Sequence, residues 1–171
     1  HSQAAATYDE SEPHFRPENR AKVRAMLQSL RGRCRGGAML DMGCGTGFLI
    51  NLAVDLFDEV HGVDVTTAML DRVDTSSGNV FLHNAAAEDT PFENERFALV
   101  TSYSFLHHTE NFERVLREAY RVLAAGGLMY IDLEPNRLFW QHVAPLAHCE
   151  AKSLTPLIAI VYFYPTFSTR L

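Results

Sequence analysis

The sequence predicts an α/β chain, a doubly wound and mostly parallel sheet flanked by helices. Three observations carry that reading. Short strand-like runs at residues 38–42, 59–64, 79–84, 96–102 and 128–133 are separated by helical segments or brief loops, and such alternation favours parallel strands joined by right-handed crossovers. The run at 96–102 is apolar almost throughout, as expected of a strand covered on both faces. The first run enters Gly43-Cys44-Gly45-Thr46-Gly47, where three glycines at alternate positions let the backbone turn sharply and leave room for a flat ligand.

Size and charge bound the alternatives. With 171 residues and 47% apolar content, the chain is sized for one domain with a substantial core, expected over about residues 18–133 of a single unit spanning 1–171. A net charge of −6 without a run of like charges argues against a nucleic-acid partner. The local cluster Arg31-Gly32-Arg33-Cys34-Arg35 suits a solvated helix end. Cys34, Cys44 and Cys149 are odd in number and lack metal-ligand spacing, so no metal is expected and a cytoplasmic setting with reduced thiols is. No stretch has the length of a membrane span, and the first residues show no apolar signal core.

The elements follow in order. Residues up to 17 are polar and contain Pro13 and Pro17, so helix is expected from about Glu18, with Val23, Met26, Leu27 and Leu30 on one face and Gly32 as its stop. After the glycine corner, a dinucleotide pattern would place a small residue at position 48, which is Phe48. Asp41 at the strand end would repel a pyrophosphate and suits a ligand bearing an ammonium group. Cys44 reads as a small filler rather than a nucleophile. A helix is expected over 48–57, then a strand ending in Asp64, then a turn that Thr66 or Thr67 can cap, with Met69 facing back toward the strand ends. Farther on, Phe112, Val115, Leu116, Ala119, Tyr120 and Leu123 form an amphipathic stripe, with Asn111 as cap and Gly126-Gly127 as terminator.

The string Leu40-Asp41-Met42-Gly43-Cys44-Gly45-Thr46-Gly47 resembles the first motif of the class I S-adenosylmethionine-dependent methyltransferases. Leu106-His107-His108, the helix after it, the double glycine and the last strand follow in that family's order. The resemblance implies a Rossmann-like class I methyltransferase fold, S-adenosylmethionine as cofactor and S-adenosylhomocysteine as product. It places Asp41 near the methionine ammonium and Gly43, Cys44 and Gly45 against the cofactor. Asp64 then holds the ribose hydroxyls, an acceptor role suited to the acid that closes a second strand. Val65 follows it, and Met69 packs on the adenine or in the core. Ser102 and Tyr103 would border the methionine portion. Residues 85–92 resemble the adenine loop, with Ala86, Ala87 and Glu88 at the base. The family pattern usually has Asp where this chain has Ala86, so recognition falls to the main chain of Ala87 and Glu88 unless Glu88 or Asn84 substitutes. A missing hydrogen bond of this kind is worth on the order of 1 kcal/mol.

The ends are less regular. The family's lead-in segment often covers the cofactor, and Tyr8, His14, Phe15 and Arg16 are available to do so or to form a plain loop. Members usually finish with a helix and an antiparallel hairpin. Residues 134–171 offer one helix, 137–147, and one strand, 157–163, so they are expected to be an incomplete C-terminal part lacking the hairpin or a substrate cap.

The implied chemistry is in-line displacement at a sulfonium methyl, for which the protein supplies alignment and dryness. A proton acceptor is needed only where the nucleophile arrives protonated, and His108 is the candidate, the alternative being that both histidines are packing residues. Aromatic and apolar residues such as Phe139, Trp140 and Tyr162 favour a small-molecule acceptor. A competing reading is a catalytically silent S-adenosylmethionine-binding or partner-binding module. A nicotinamide dehydrogenase is disfavoured by Phe48 and Asp41.

Overall fold

Five strands, four α-helices and one turn of 3-10 helix (Leu106–His108) follow one another along the described part of the chain, residues 16–134 of a computed structural model. Helix α1 (Pro17–Arg31) starts on a proline, whose missing N–H is no loss in a first turn. It buries Val23, Leu27 and Leu30 and ends as Gly32 N donates to Gln28 O. Then come β1 (Ala38–Met42), α2 (Phe48–Ala53), β2 (Glu59–Asp64), α3 (Thr67–Leu70), β3 (Val80–Asn84), β4 (Phe97–Tyr103), α4 (Phe112–Val122) and β5 (Leu123–Asp132). All pairings are parallel and the order is β3-β2-β1-β4-β5. The order reverses between β1 and β4, so the crevice of this doubly wound sheet lies beyond the C-terminal ends of those two strands.

Strand alternation sorts the core into two layers. Met39, Leu99, Leu128 and Tyr130 pack with α1, α2 and α3 on one face, whereas Leu40, Met42, Val100, Met129 and Ile131 pack with α4 on the other. The β3–β4 connection carries no helix, and Ala87 and Phe92 from that loop join the second layer. Phe81, on edge strand β3, is left 42% exposed.

Four local expectations need correction. Helix α2 stops at Ala53 instead of 57, because Asp58 N and Glu59 N turn back to donate to Gly37 O and start the pairing of β2 with β1. Thr66 stands at the N-cap position of α3, but neither threonine is seen to cap it with its side chain. Thr66 makes no side-chain cap bond, and Asp64 Oδ1 instead accepts from Thr66 N at 2.8 Å. Gly126-Gly127 do not end α4, which stops at Val122. They lie in a bulge of β5 where Leu123 pairs with Phe97 and Leu128 with Leu99. Gly126 has φ +75°, and a Cβ on Gly127 would approach Ala124 O at 2.9 Å. Tyr120, expected on the apolar stripe, is 44% exposed, and Val115, Ala119 and Val122 do the burying. The expected cap holds, with Asn111 Oδ1 accepting from Arg114 N at 3.2 Å.

Arg16 is exposed just ahead of α1. The readings placed on Tyr8, His14, Phe15 and on residues 137–147 and 157–163 lie outside the described residues.

Candidate active site

The glycine corner is pinned before it turns. Gly43 N and Cys44 N both donate to Val63 O on β2, at 2.9 and 3.0 Å. Gly43, Gly45 and Gly47 all have positive φ, which a side chain rarely adopts. Their surroundings differ. A Cβ on Gly47 would meet Val73 at 2.9 Å, and one on Gly43 would fall 2.1 Å from the Phe105 ring, so Phe105 covers Gly43. Of these three, Gly45 alone is one where a Cβ would meet nothing within 4 Å. A flat ligand therefore has its room over Gly45, and the room expected beside Gly43 is taken by an aromatic ring. Cys44 is buried beside Gly62, and burial pushes its thiol well above the ordinary range, as suits a filler.

Two carboxylates flank the corner. Asp41, only 3% exposed at the end of β1, accepts from Thr101 Oγ1 at 2.7 Å. Burial pushes its carboxyl up to about 7, the Thr101 hydrogen bond opposes that, and the charge of Asp64 adds to it. A cation beside Asp41 would restore its ionised form. Asp64 accepts from Gly45 N at 3.0 Å through Oδ2 and from Thr66 N through Oδ1. Each oxygen keeps a lone pair, enough for a diol.

The loop after β3 starts from the same place. Ala85 N and Asn84 Nδ2 donate to Asp64 O at 3.3 and 3.1 Å, and Asp89 N donates to Ala86 O. Ala87 is buried, while Ala86 and Glu88 are half-buried. Val65 is 68% exposed and Met69 half-buried, giving an apolar surface at the end of β2.

Beyond β4, Ser102 and Tyr103 part company because adjacent strand residues face opposite ways. Tyr103 packs on Phe48 at a ring separation of 5.0 Å, and its hydroxyl accepts from Asn19 Nδ2 at 2.8 Å. Burial pushes its phenol up to about 12, so it stays neutral. Ser102 is fully buried, and its Oγ has no hydrogen-bond partner among the described residues. The loop from Ser104 onward is held by Glu134, just past β5. The Glu134 carboxylate accepts from the N–H groups of Phe105, Leu106 and His107 at 2.8, 2.9 and 3.0 Å. It also meets His107 Nδ1 at 2.9 Å. His108 is exposed, with its ring 4.0 Å from that of His107.

Residues 40–131 match the family model described as Methyltransferase domain. The chain belongs to the class I S-adenosylmethionine-dependent methyltransferase family. It is 35% identical over 119 residues to a demethylmenaquinone methyltransferase of Listeria welshimeri, which covers 64% of this chain and 50% of that protein. It is 30% identical over 132 residues to the biotin biosynthesis bifunctional protein BioHC of Teredinibacter turnerae, covering 66% of this chain and 23% of that one. The chain thus spans half or less of the length of these two relatives. Among solved structures, an S-adenosylmethionine-dependent methyltransferase from Mesorhizobium loti superposes with a TM-score of 0.52 at 25% identity, covering 60% of this chain and 49% of that chain. A Methanococcus maripaludis structure gives a TM-score of 0.65 at 20% identity, over 85% and 70% of the two chains, and shows the shared fold.

The side chains of this methyltransferase domain fit the family's cofactor. Asp41 is a buried acceptor whose ionised form lacks a cation among the described residues, Asp64 offers paired lone pairs, and the flank of Gly45 is open. Among the described residues no cluster of His, Cys, Asp or Glu could hold a metal, and no helix is long and apolar enough to cross a membrane. Sequence reasoning missed Glu134, Phe105, Glu118 and Arg121. The signals were slight: an acid directly after a strand, and an acid three residues before an arginine on a helix.

Proposed function

We propose that this domain transfers the methyl group of S-adenosylmethionine in line to a nucleophilic atom of a small-molecule acceptor. The observation that carries the reading is the open flank of Gly45 between Asp41 and Asp64, with one acid suited to an ammonium and the other to a ribose diol. The cofactor supplies an electrophilic methyl group. The chain orients it: Asp41 faces the amino-acid end, Gly43, Cys44 and Gly45 form the turn beneath, and Asp64 holds the sugar. Val65 and Met69 lie against the base, which the main chain at Ala86, Ala87 and Glu88 reads. Ser102 and Tyr103 close the strand end near the methionine portion, and alignment with exclusion of water provides most of the rate.

Where the nucleophile arrives protonated, the candidates for proton acceptor are His108 and its neighbour His107. The contact of Glu134 with His107 Nδ1 supports His107, since a carboxylate there favours the tautomer whose Nε2 is basic. The relative named demethylmenaquinone methyltransferase supports a small-molecule acceptor. The free thiols of Cys34 and Cys44 suit a cytoplasmic setting.

Isothermal titration with S-adenosylmethionine and S-adenosylhomocysteine tests the cofactor reading. Both should bind, and Asp64→Ala should weaken each at least about tenfold, having removed charged acceptors worth about 1.5–3 kcal/mol apiece. Absence of heat with either ligand sinks it. Mass-spectrometric screening of phenol, hydroxyl, amine and thiol acceptors then tests transfer. Binding without turnover across that panel would assign the chain to a silent binding module.

A further inference from the structure

Helix α4 reaches across the second face of the sheet and grips the loop that follows β3. Glu118, 8% exposed, accepts through Oε1 from Thr90 N at 2.8 Å and from Thr90 Oγ1 at 2.5 Å. Arg121, one turn further, donates to both oxygens of that carboxylate, Nε to Oε2 at 2.7 Å and Nη2 to Oε1 at 2.6 Å. Its Nη1 donates to Phe92 O at 2.8 Å and to Asn94 Oδ1 at 2.9 Å. A two-point guanidinium–carboxylate contact fixes orientation as well as distance. Burial alone would raise the Glu118 carboxyl, yet the hydrogen bonds from Arg121 and Thr90 hold it down at about 2, so it stays ionised.

At its other end the loop is tied to Asp64 O by Ala85 N and Asn84 Nδ2. Residues 85–90 are therefore fastened at both ends, to the last residue of β2 and to α4. Between those ties, position 86 carries a methyl group rather than a carboxylate. With no carboxylate at position 86, a base that the Glu88 and Asn84 side chains do not meet is read by main-chain groups, which cannot swing to it and so have to be in place beforehand.

We propose that Glu118 and Arg121 are positioning residues for the nucleoside base: through Thr90 and Phe92 they hold the main chain of residues 86–89 where it selects a 6-aminopurine over a 6-oxopurine. The inference rests on the cofactor reading given above. Its chemistry is a reversal of polarity, since hypoxanthine presents a carbonyl where adenine has an amine and an N1–H where adenine has an acceptor. A main chain set for one repels the other.

The test is calorimetry of S-adenosylhomocysteine and S-inosylhomocysteine binding to the unaltered chain and to Glu118→Gln, Arg121→Lys and Thr90→Val, with a melting curve for each. The unaltered chain should prefer the adenosine ligand at least about tenfold, as mismatched buried hydrogen bonds dictate. Glu118→Gln and Thr90→Val should bring the preference to within about threefold. A purely structural role would lower melting temperature and both affinities together and leave their ratio alone. A preference that survives in folded variants overturns the inference while the cofactor reading stands, as does an unaltered chain that binds both ligands equally. No binding by the unaltered chain overturns both. Should Glu118→Gln fail to fold, Thr90→Val decides, because it deletes one hydroxyl and keeps the N–H.

Discussion

Asp41→Asn should make the domain more stable at alkaline pH while weakening its hold on the cofactor. The buried carboxyl stands at about 7 against an ordinary 3.8, and at about 1.4 kcal/mol per pH unit that gap costs the ionised folded state about 4 kcal/mol. The folded chain keeps the proton between those two values whereas the unfolded chain has lost it. Stability from this group is therefore full below pH 3.8, falls as pH rises, and is lost by about pH 7. Asparagine removes the charge and still accepts the Thr101 hydrogen bond, which leaves its own buried amide hydrogens as a penalty of about 1–2 kcal/mol. The variant should then be about 2–3 kcal/mol more stable at pH 8 and about 1–2 kcal/mol less stable at pH 4. Denaturant titrations of both chains across pH 4–8 measure the difference, and subtraction removes other groups that titrate in common, such as the buried Asp132. S-Adenosylhomocysteine binding supplies the second half: the unaltered chain should release a proton on binding below pH 7 and lose affinity about tenfold per pH unit, while the variant should bind weakly at every pH. An offset between the two stability curves that does not change with pH would refute the reasoning.

Three further outcomes follow from the same geometry. Gly43→Ala places a methyl group on the Phe105 ring at φ +72°, so it should cost about 2–3 kcal/mol in a melting experiment, and Phe105→Ala should return part of that loss when the two are combined; additive losses would mean the ring does not rest on Gly43. His61 and His83, in contact at 3.2 Å within an aromatic cluster, are both held below their ordinary value of 6.5 chiefly by burial. The stability they contribute is present above pH 6.5 and lost as pH falls below it, so His83→Phe should flatten the acid limb of a melting-temperature profile. For an acceptor that must lose a proton, His107→Ala should lower turnover at least about tenfold and His108→Ala less, with cofactor affinity within about twofold in both; full activity in the His107 variant would remove that residue from the chemistry.

What the sequence revealed and what it hid divide along the distance over which each feature is determined. Asp41, the glycine corner and Asp64 were legible because each sits at a fixed step from a strand end, and the right-handed β1–α2–β2 unit brings the second acid back to the first turn, as Asp64 Oδ2 on Gly45 N shows. The same local logic, carried one step further, would have separated Ser102 from Tyr103, since neighbours on a strand face opposite layers. The supports were not legible in this way. Glu134 meets Phe105, and Glu118 meets Thr90, at sequence separations of 29 and 28, and nothing in the spacing of either acid says which main-chain amides it will collect. Gly126-Gly127 misled for a related reason. A double glycine ends a helix or eases a bulge equally well, and only the pairing of Leu123 with Phe97 decides between them. Residues proposed to touch the ligand are thus specified by strand ends, which are local, whereas residues that hold them in place depend on which helix face lies over which loop. On the proposal made above, selectivity for the base belongs to that second group, so exchanging Glu118 should move it further than exchanging Thr46 of the glycine corner.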